Sequence, residues 1–231
     1  MNRMYAKAKT WNPFKGCRFN CSCCRPTFQA QAKRQKNRCK DCYDYKPHYH
    51  PERLGKIPSA EIVFVCGNGD ISFCDPTYTH QIINAIANHN QRCPYKQYYF
   101  QSRQPEYFEQ FIPYFPSNVI VVTTLETNRD TGYATVSKAP IPSERYQQFL
   151  NLNYLRKVVT IEPVMDFDLD VFTNWITDIT PEYVWLGFNS KPRQVQLPEP
   201  SEWKLTAFAQ ALKRSGIQVN GKDLRGLNIG I

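Results

Sequence analysis

Three cysteines near the start of the chain, Cys17, Cys21 and Cys24, stand in the spacing Cys-x3-Cys-x2-Cys. Three thiolates on one short loop can hold three irons of a 4Fe-4S cluster, leaving the fourth iron open to a small molecule. Zinc prefers four ligands, usually as two short-spaced pairs, so a lone triad fits an open cluster better. Cys23 allows a second-ranked set, Cys17, Cys21 and Cys23. An open iron would make the chain an enzyme.

A second group follows. Cys39 and Cys42 form a Cys-x2-Cys pair, and His48 and His50 come shortly after. Two thiolates and two imidazoles could make a tetrahedral zinc site that staples the segment. The Cys42-to-His48 spacing is short for a zinc finger, so zinc, a structural pair without metal and a second cluster all stay open. Six of the nine cysteines fall between Cys17 and Cys42, which argues for metal rather than disulfides in a reducing compartment. Cys66, in the apolar run from Ile62, reads as a small buried hydrophobe. His80 and His89 have no neighbouring ligands and read as surface or packing residues.

These residues need a frame to hold them. Lys9 to Gly16 reads as a short strand turning through Pro13 and Gly16 into the cysteine loop. Further strands are expected at Glu61–Cys66, Gln97–Phe100, Asn118–Leu125, Lys157–Ile161, Tyr183–Phe188 and Gly216–Asn220. Helices are expected between them, at Thr77–Ala87, Glu106–Phe111, Ser143–Leu152, Asp168–Ile179 and Glu202–Ser215, with Ser143 and Ser201 as caps. Alternation of this kind predicts parallel βαβ units. The all-apolar runs at Ile62, Val119 and Val158 suit strands buried on both faces. The expected fold class is α/β, a single domain over 1–231 with a Cys/His-containing insertion at about 25–58.

Polar residues recur where each strand ends: Gly67-Asn68-Gly69-Asp70, Gln101-Ser102-Arg103, Glu126 with Asn128 and Arg129, Glu162, and Asn189. Ligands bind at the carboxyl ends of strands in parallel α/β architectures, so the recurrence points to one shared site. Glycines at 67 and 69 would let backbone approach a ligand, although the segment also reads as a simple turn capped by Asp70. Glu126 could bind a ribose hydroxyl pair and Arg129 a carboxylate. Glu162, at the end of an apolar strand, should have a partner or a ligand.

The net charge of +9 is concentrated early, where Lys33, Arg34, Lys36, Arg38 and Lys40 fall within eight residues. A basic, amide-rich stretch suits phosphate contacts, and a solvated helix face is the plainer reading. No apolar run approaches a membrane span, and the N-terminus lacks a signal-like apolar stretch, so a cytoplasmic protein with no membrane contact is expected. The sequence contains no Ser–His–Asp pattern, no phosphate-binding Gly-rich loop and no Gly-x-Gly-x-x-Gly.

Cys17, Cys21 and Cys24 at the end of a first strand resemble the radical S-adenosylmethionine enzymes. More closely, the chain resembles a phage and prokaryotic family of unknown function with a TIM-barrel-like fold. The motifs that carry this are Thr10-Trp11-Asn12-Pro13 with Gly16-Cys17, Cys42-Tyr43, Gly69-Asp70-Ile71-Ser72-Phe73, Thr124 to Arg129 and Ile161-Glu162-Pro163. The resemblance implies a partial (β/α)6 barrel whose Cys17, Cys21 and Cys24 bind a 4Fe-4S cluster. It implies that the open iron chelates S-adenosylmethionine, with Gly67, Asn68, Gly69 and Asp70 beside its amino group and Glu126 and Asn128 near the ribose or methionine moiety. Arg129, Glu162 and Asn189 complete the expected cofactor pocket. An electron donor is implied as partner, and reductive cleavage would give a 5′-deoxyadenosyl radical that takes hydrogen from a substrate. A nucleotide or nucleic acid is the substrate class the basic stretch suggests. Two departures stand out. The residue before the third cysteine is usually aromatic and packs on adenine, yet here it is Cys23, leaving Phe19 or Phe28 to substitute. The general pattern also lacks the Cys39–His50 insertion. The alternative function is a non-catalytic, zinc- or cluster-stabilised nucleic-acid-binding protein.

Overall fold

The computed structural model describes Tyr5 and residues 7–229; the other terminal residues of the expected domain 1–231 lie outside the described residues. The chain opens with β1 (Lys9–Trp11) and β2 (Phe14–Lys15), then passes through helical turns at Ser22–Cys24 and Arg25–Gln29. Next come α1 (Ala30–Ala32), a turn at Lys33–Gln35, α2 (Lys40–Asp44) and β3 (His48–Tyr49). β3 pairs antiparallel with β2, setting Phe14 opposite Tyr49 and Lys15 opposite His48. Strands and helices then alternate: β4 (Ile62–Val65), α3 (Pro76–Asn90), β5 (Gln97–Gln101), β6 (Val119–Thr124), α4 (Pro142–Asn151), β7 (Lys157–Ile161), α5 (Leu169–Ile179), β8 (Tyr183–Leu186), α6 (Glu202–Arg214) and β9 (Gln218–Gly221). Between β5 and β6 the connection is a 3-10 helix, Pro105–Tyr114, instead of the expected α-helical turn over Glu106–Phe111.

β1 and β4 to β9 form one seven-stranded sheet in chain order, parallel throughout, with β1 and β9 at its edges. That is one strand more than a (β/α)6 arrangement, because Gln218–Gly221 joins the sheet beside β8. β6 and β7 are buried at every position, as their unbroken apolar runs require. One face carries Val63, Val65, Tyr98, Phe100, Val121, Val159 and Ile161 against the helices. Helical spacing does the covering: α5 buries Phe172, Ile176 and Ile179, and α6 buries Leu205, Phe208, Ala209 and Leu212. The Phe172 and Phe208 rings stack 5.1 Å apart, locking the two helices together.

The opposite face is strongly concave. Tyr99 on β5 and Tyr183 on β8 meet hydroxyl to hydroxyl at 2.7 Å, although β6 and β7 lie between their strands. In a flat sheet those strands would stand about 14 Å apart, three spacings of about 4.8 Å, so the sheet must curl like a barrel wall. Tyr5 plugs the N-terminal end of this hollow, its ring 5.0 Å from Phe64, 5.1 Å from Tyr99 and 5.3 Å from Trp185. Further along the same face Gln101 donates to the Thr124 hydroxyl at 3.0 Å, and Thr124 and Thr160 hydroxyls lie 2.9 Å apart. The lining thus changes from aromatic to polar toward the carboxyl ends of the strands.

Two cap assignments part ways. Ser201 caps α6, accepting from the Lys204 N–H at 3.2 Å, as expected. Ser143 does not cap α4, which begins one residue earlier at Pro142. Its N–H and hydroxyl instead donate to the two carboxylate oxygens of Asp130, at 3.0 and 2.5 Å, which ties the β6 loop to the helix.

Candidate cofactor site at the strand ends

The cysteine loop sits directly on the loop after β4. Gly16 and Gly69 form a bridge, with the Asp70 N–H donating to the Gly16 carbonyl at 3.1 Å and the Gly16 N–H donating to the Asn68 carbonyl at 3.2 Å. A side chain on Gly69 would strike the Gly16 backbone at 2.5 Å, and Gly16, at φ +94°, leaves no room for one either. The two glycines therefore serve the approach of backbone to backbone. Asn12 fixes the same junction by accepting from the Asn68 N–H at 3.0 Å.

Cys17, Cys21, Cys23 and Cys24 gather with Phe19, Phe73 and Ala139 in one apolar cluster. The Ser137 hydroxyl lies 3.1 Å from Cys21 Sγ, and Cys17 Sγ accepts from the Phe19 N–H at 3.4 Å. A hydrogen bond from Cys24 brings the Cys21 thiol down to about 6 against the opposing effect of burial, and Arg103 helps. Cys23 is lowered in the same way, while Cys24, the shared donor, is raised. Burial first, then the charge of Asp70, raises Cys17. Phe19 packs on Phe73 with ring centroids 4.6 Å apart, whereas Phe28 is exposed.

Asp70 is buried and heavily bonded. Its Oδ1 accepts from the Ser72 N–H at 3.1 Å, the Ser72 hydroxyl at 2.9 Å and the Ser102 hydroxyl at 2.6 Å; its Oδ2 accepts from the Arg103 N–H at 2.9 Å. It is both the cap of a short turn and the tie between the β4 and β5 loops.

Glu126 lies in a buried charge network that sequence reasoning missed. One carboxylate oxygen pairs with Arg103, and the other accepts from Arg145 Nη2 at 2.7 Å. The Tyr133 hydroxyl donates to the same carboxylate at 3.2 Å, and the Arg145 guanidinium stands 4.9 Å from the Tyr133 ring centre. Arg145 also donates to the carbonyls of Thr124 and Pro140. Burial opposes the charge on Glu126, but the two arginines outweigh it and hold the carboxyl below its usual range. Arg103 also lies near enough to lower the thiols of Cys21 and Cys23, while the charge of Glu126 opposes that effect and Asp70 raises Cys17. Positive charge beside cysteines favours thiolates, the form that binds iron.

The remaining predicted residues line the rim, each with a partner in the chain. Arg129 clamps Asp166 and Asp168, at 2.6 Å each, and Asn128 accepts from the Asp168 N–H at 2.8 Å. Glu162 pairs with Lys222 at 2.6 Å, joining the ends of β7 and β9. Asn189 donates to the Val195 carbonyl at 2.6 Å and accepts from the Lys191 N–H at 2.9 Å, closing its own loop. Gly69, Asp70, Arg103 and Glu126 lie near the cysteine loop; Asn128, Arg129, Glu162 and Asn189 follow β6, β7 and β8 and are engaged with partners of their own. The side-chain parity of β5 carries the signal for Arg103, two residues past Gln101 on the concave face.

Cys39, Cys42, His48 and His50 converge separately: their ligand atoms all lie within 4.8 Å of one another. Lys33, Arg34, Lys36, Arg38 and Lys40 are exposed along the same insertion, with Lys33 donating to the Tyr43 carbonyl at 3.0 Å. No helix among the described residues is long and apolar enough to cross a membrane.

No family model and no curated protein matches the chain, so the phage and prokaryotic likeness stands on its motifs alone. Among solved structures the fold is similar to a double mutant of spore photoproduct lyase with bound AdoMet and dinucleoside spore photoproduct, at a TM-score of 0.51 and 11% identity. The match covers 91% of this chain and 61% of that one, so this chain spans less than two thirds of the length of that enzyme. At this identity the likeness is one of fold.

Proposed function

We propose that the protein is a radical S-adenosylmethionine enzyme, with Cys17, Cys21 and Cys24 holding a 4Fe-4S cluster. The observation that carries this reading is the seat of the cysteine loop: it lies at the carboxyl ends of a curled parallel sheet, bridged to the loop after β4 and close to the Arg103 guanidinium. The fold likeness to an enzyme solved with AdoMet supports it. When bound, such a cluster supplies the coordination site for S-adenosylmethionine and the electron that cleaves its sulfonium bond.

The residues of this chain have distinct parts in that reading. The three thiols bind iron, and the charge of Arg103, held in place by Glu126, favours the thiolate of Cys21. Asp70 positions the cysteine loop by fixing the β4 and β5 loops on which it rests. Asn68 and Gly69, bonded and packed against Asn12 and Gly16, seat the cysteine loop beside the cofactor, with Gly67 in the same turn. Asn128, Arg129, Glu162 and Asn189 hold the opposite wall and border the S-adenosylmethionine pocket. The hydroxyl layer of Thr124 and Thr160 and the aromatic plug below it keep bulk water from entering through the hollow. The substrate would enter at the mouth, and the exposed basic stretch favours a nucleotide or nucleic acid.

Anaerobic reconstitution with iron and sulfide, then S-adenosylmethionine and a reductant, tests the proposal. The expected result is a brown protein that forms 5′-deoxyadenosine. A colourless protein that forms none would overturn the reading in favour of a nucleic-acid-binding module.

A further inference from the structure

We propose that Cys39, Cys42, His48 and His50 hold one zinc ion, in a closed structural site that fixes the surface on which the cysteine loop rests. Local structure presents the four ligands in two pairs. Cys39 is the N-cap of α2 and Cys42 lies three residues on, its N–H donating back to Cys39 Sγ at 3.4 Å. His48 and His50 are two residues apart on extended chain, so their rings share one side. Tyr45, in the left-handed region at φ +57°, turns the chain sharply enough to bring the pairs together across a short spacing.

The distances fit a single ion. Cys42 Sγ lies 3.2 Å from both His48 Nε2 and His50 Nε2; Cys39 Sγ lies 3.5 Å from His48 Nε2; the two Nε2 atoms are 2.8 Å apart. A tetrahedron with zinc–sulfur and zinc–nitrogen bonds of usual length has edges of about 3.3–3.8 Å; the three sulfur–nitrogen distances lie at or just below that range, and the two nitrogens stand closer together than a bound ion would set them. A two-iron cluster divides its four ligands between separate metals and spreads them further.

Protonation points the same way. His48 Nδ1 is 2.7 Å from the Lys46 carbonyl, which can only accept, so Nδ1 carries the proton and Nε2 presents a lone pair. His50 Nδ1 is 3.0 Å from the Glu52 carboxylate, giving the same tautomer. The two Nε2 atoms stand 2.8 Å apart and converge with the Cys42 sulfur on one small volume, as the ligands of a single ion would. Backbone carbonyl and carboxylate are the outer partners that orient metal-bound histidines. The buried Lys15 side chain donates to Cys42 Sγ at 3.3 Å, a further outer contact that fixes this sulfur. Four protein ligands leave no position for substrate, which makes the site structural.

The site also touches the cysteine loop. The Lys46 carbonyl that orients His48 is the atom a side chain on Gly16 would strike. The neighbouring Tyr45 carbonyl accepts from the Cys17 N–H at 3.3 Å. The metal-held turn is therefore the support under Gly16 and Cys17.

Metal analysis of anaerobically purified protein tests this. About one zinc per chain is expected, retained in the triple variant Cys17→Ala/Cys21→Ala/Cys24→Ala and reduced at least tenfold in His50→Ala. Should His50→Ala fail to fold, cobalt exchanged into the wild-type protein gives the second readout, with intense visible bands of a tetrahedral site carrying thiolate charge transfer. Wild-type protein without zinc, iron bound by the triple variant, or a weak octahedral cobalt spectrum would each overturn the proposal. Because the triple variant lacks the proposed cluster ligands, failure here is distinguishable from failure of the radical enzyme reading.

Discussion

The insertion and the loop before it each gather cysteines, yet they are built for opposite ends. Cys39, Cys42, His48 and His50 face one another, their ligand atoms all within 4.8 Å, backed by Lys46, Glu52 and Lys15. Cys17, Cys21, Cys23 and Cys24 instead sit among Phe19, Phe73 and Ala139, beside a buried arginine and the polar mouth of the sheet. A closed donor set holds a fold together; a set one ligand short, at the carboxyl end of a parallel sheet, is a place for something to bind. On the proposed readings the first kind of site is the footing for the second, because the Tyr45–Lys46 turn supports Gly16 and Cys17.

The comparison breaks most sharply with the open set removed. Cys17→Ala/Cys21→Ala/Cys24→Ala should abolish cluster absorbance and 5′-deoxyadenosine formation on reconstitution. Its circular dichroism should stay close to that of the parent, because the sheet core does not depend on the loop. A variant that still cleaved S-adenosylmethionine would move the chemistry away from these thiols.

Next in size is the charge network that flanks the open site. Glu126→Ala leaves Arg103 and Arg145 buried without their anion, which should cost about 3–5 kcal/mol in urea unfolding. The pH dependence has a definite sign. The Glu126 carboxyl is held below its usual range in the fold by Arg103 and Arg145, against the pull of burial. Its contribution is therefore complete above the unfolded value of about 4.3 and lost as pH falls through the depressed folded value. The stability gap between parent and variant should be flat from neutrality to about pH 5 and close below that. A gap that widened in acid would show that Glu126 does not carry the charge assigned to it.

Why that network was not legible in the sequence is itself physical. Arg145 lies on an amphipathic helix, where an arginine ordinarily reads as solvent-exposed; only tertiary packing puts it at 0% exposure beneath Tyr133. Strands such as Val119–Thr124 and Lys157–Ile161 were readable because burial on both faces demands an unbroken apolar run. Gln218–Gly221 is an edge strand with half its surface open, so its composition says little about pairing. The polar residues do fall at the strand ends, but Asp70, Arg129, Glu162 and Asn189 each have partners inside the chain that no spacing rule foretells. The second cysteine pair was visible as a motif, and its geometry hung on one left-handed turn at Tyr45.

The basic stretch between the two cysteine groups offers a third test. If the exposed side chains of Lys33, Arg34, Lys36, Arg38 and Lys40 contact phosphates, the wild-type protein should bind a fluorescent single-stranded oligonucleotide with strong salt dependence. Changing all five to Gln should lower affinity roughly 10- to 100-fold at low salt and flatten the slope, since each phosphate contact on a single strand contributes about 0.7 of a unit to it. Equal slopes in both proteins would make the stretch a solvated surface.

Arg129 should give the smallest effect and separates the two walls of the mouth. Its guanidinium is half-exposed and already engaged by Asp166 and Asp168. Exposed ion pairs contribute at most about 1 kcal/mol, so Arg129→Ala should unfold within that margin of the parent. If Arg129 borders the pocket only by holding the β7 loop, S-adenosylmethionine affinity of the reconstituted protein should fall no more than about threefold, a free-energy change near 0.7 kcal/mol. A tenfold loss at unchanged stability would mean that the guanidinium leaves its aspartates to grip the ligand carboxylate. The cofactor would then be held from both walls, with the cysteine loop supplying only one of its anchors.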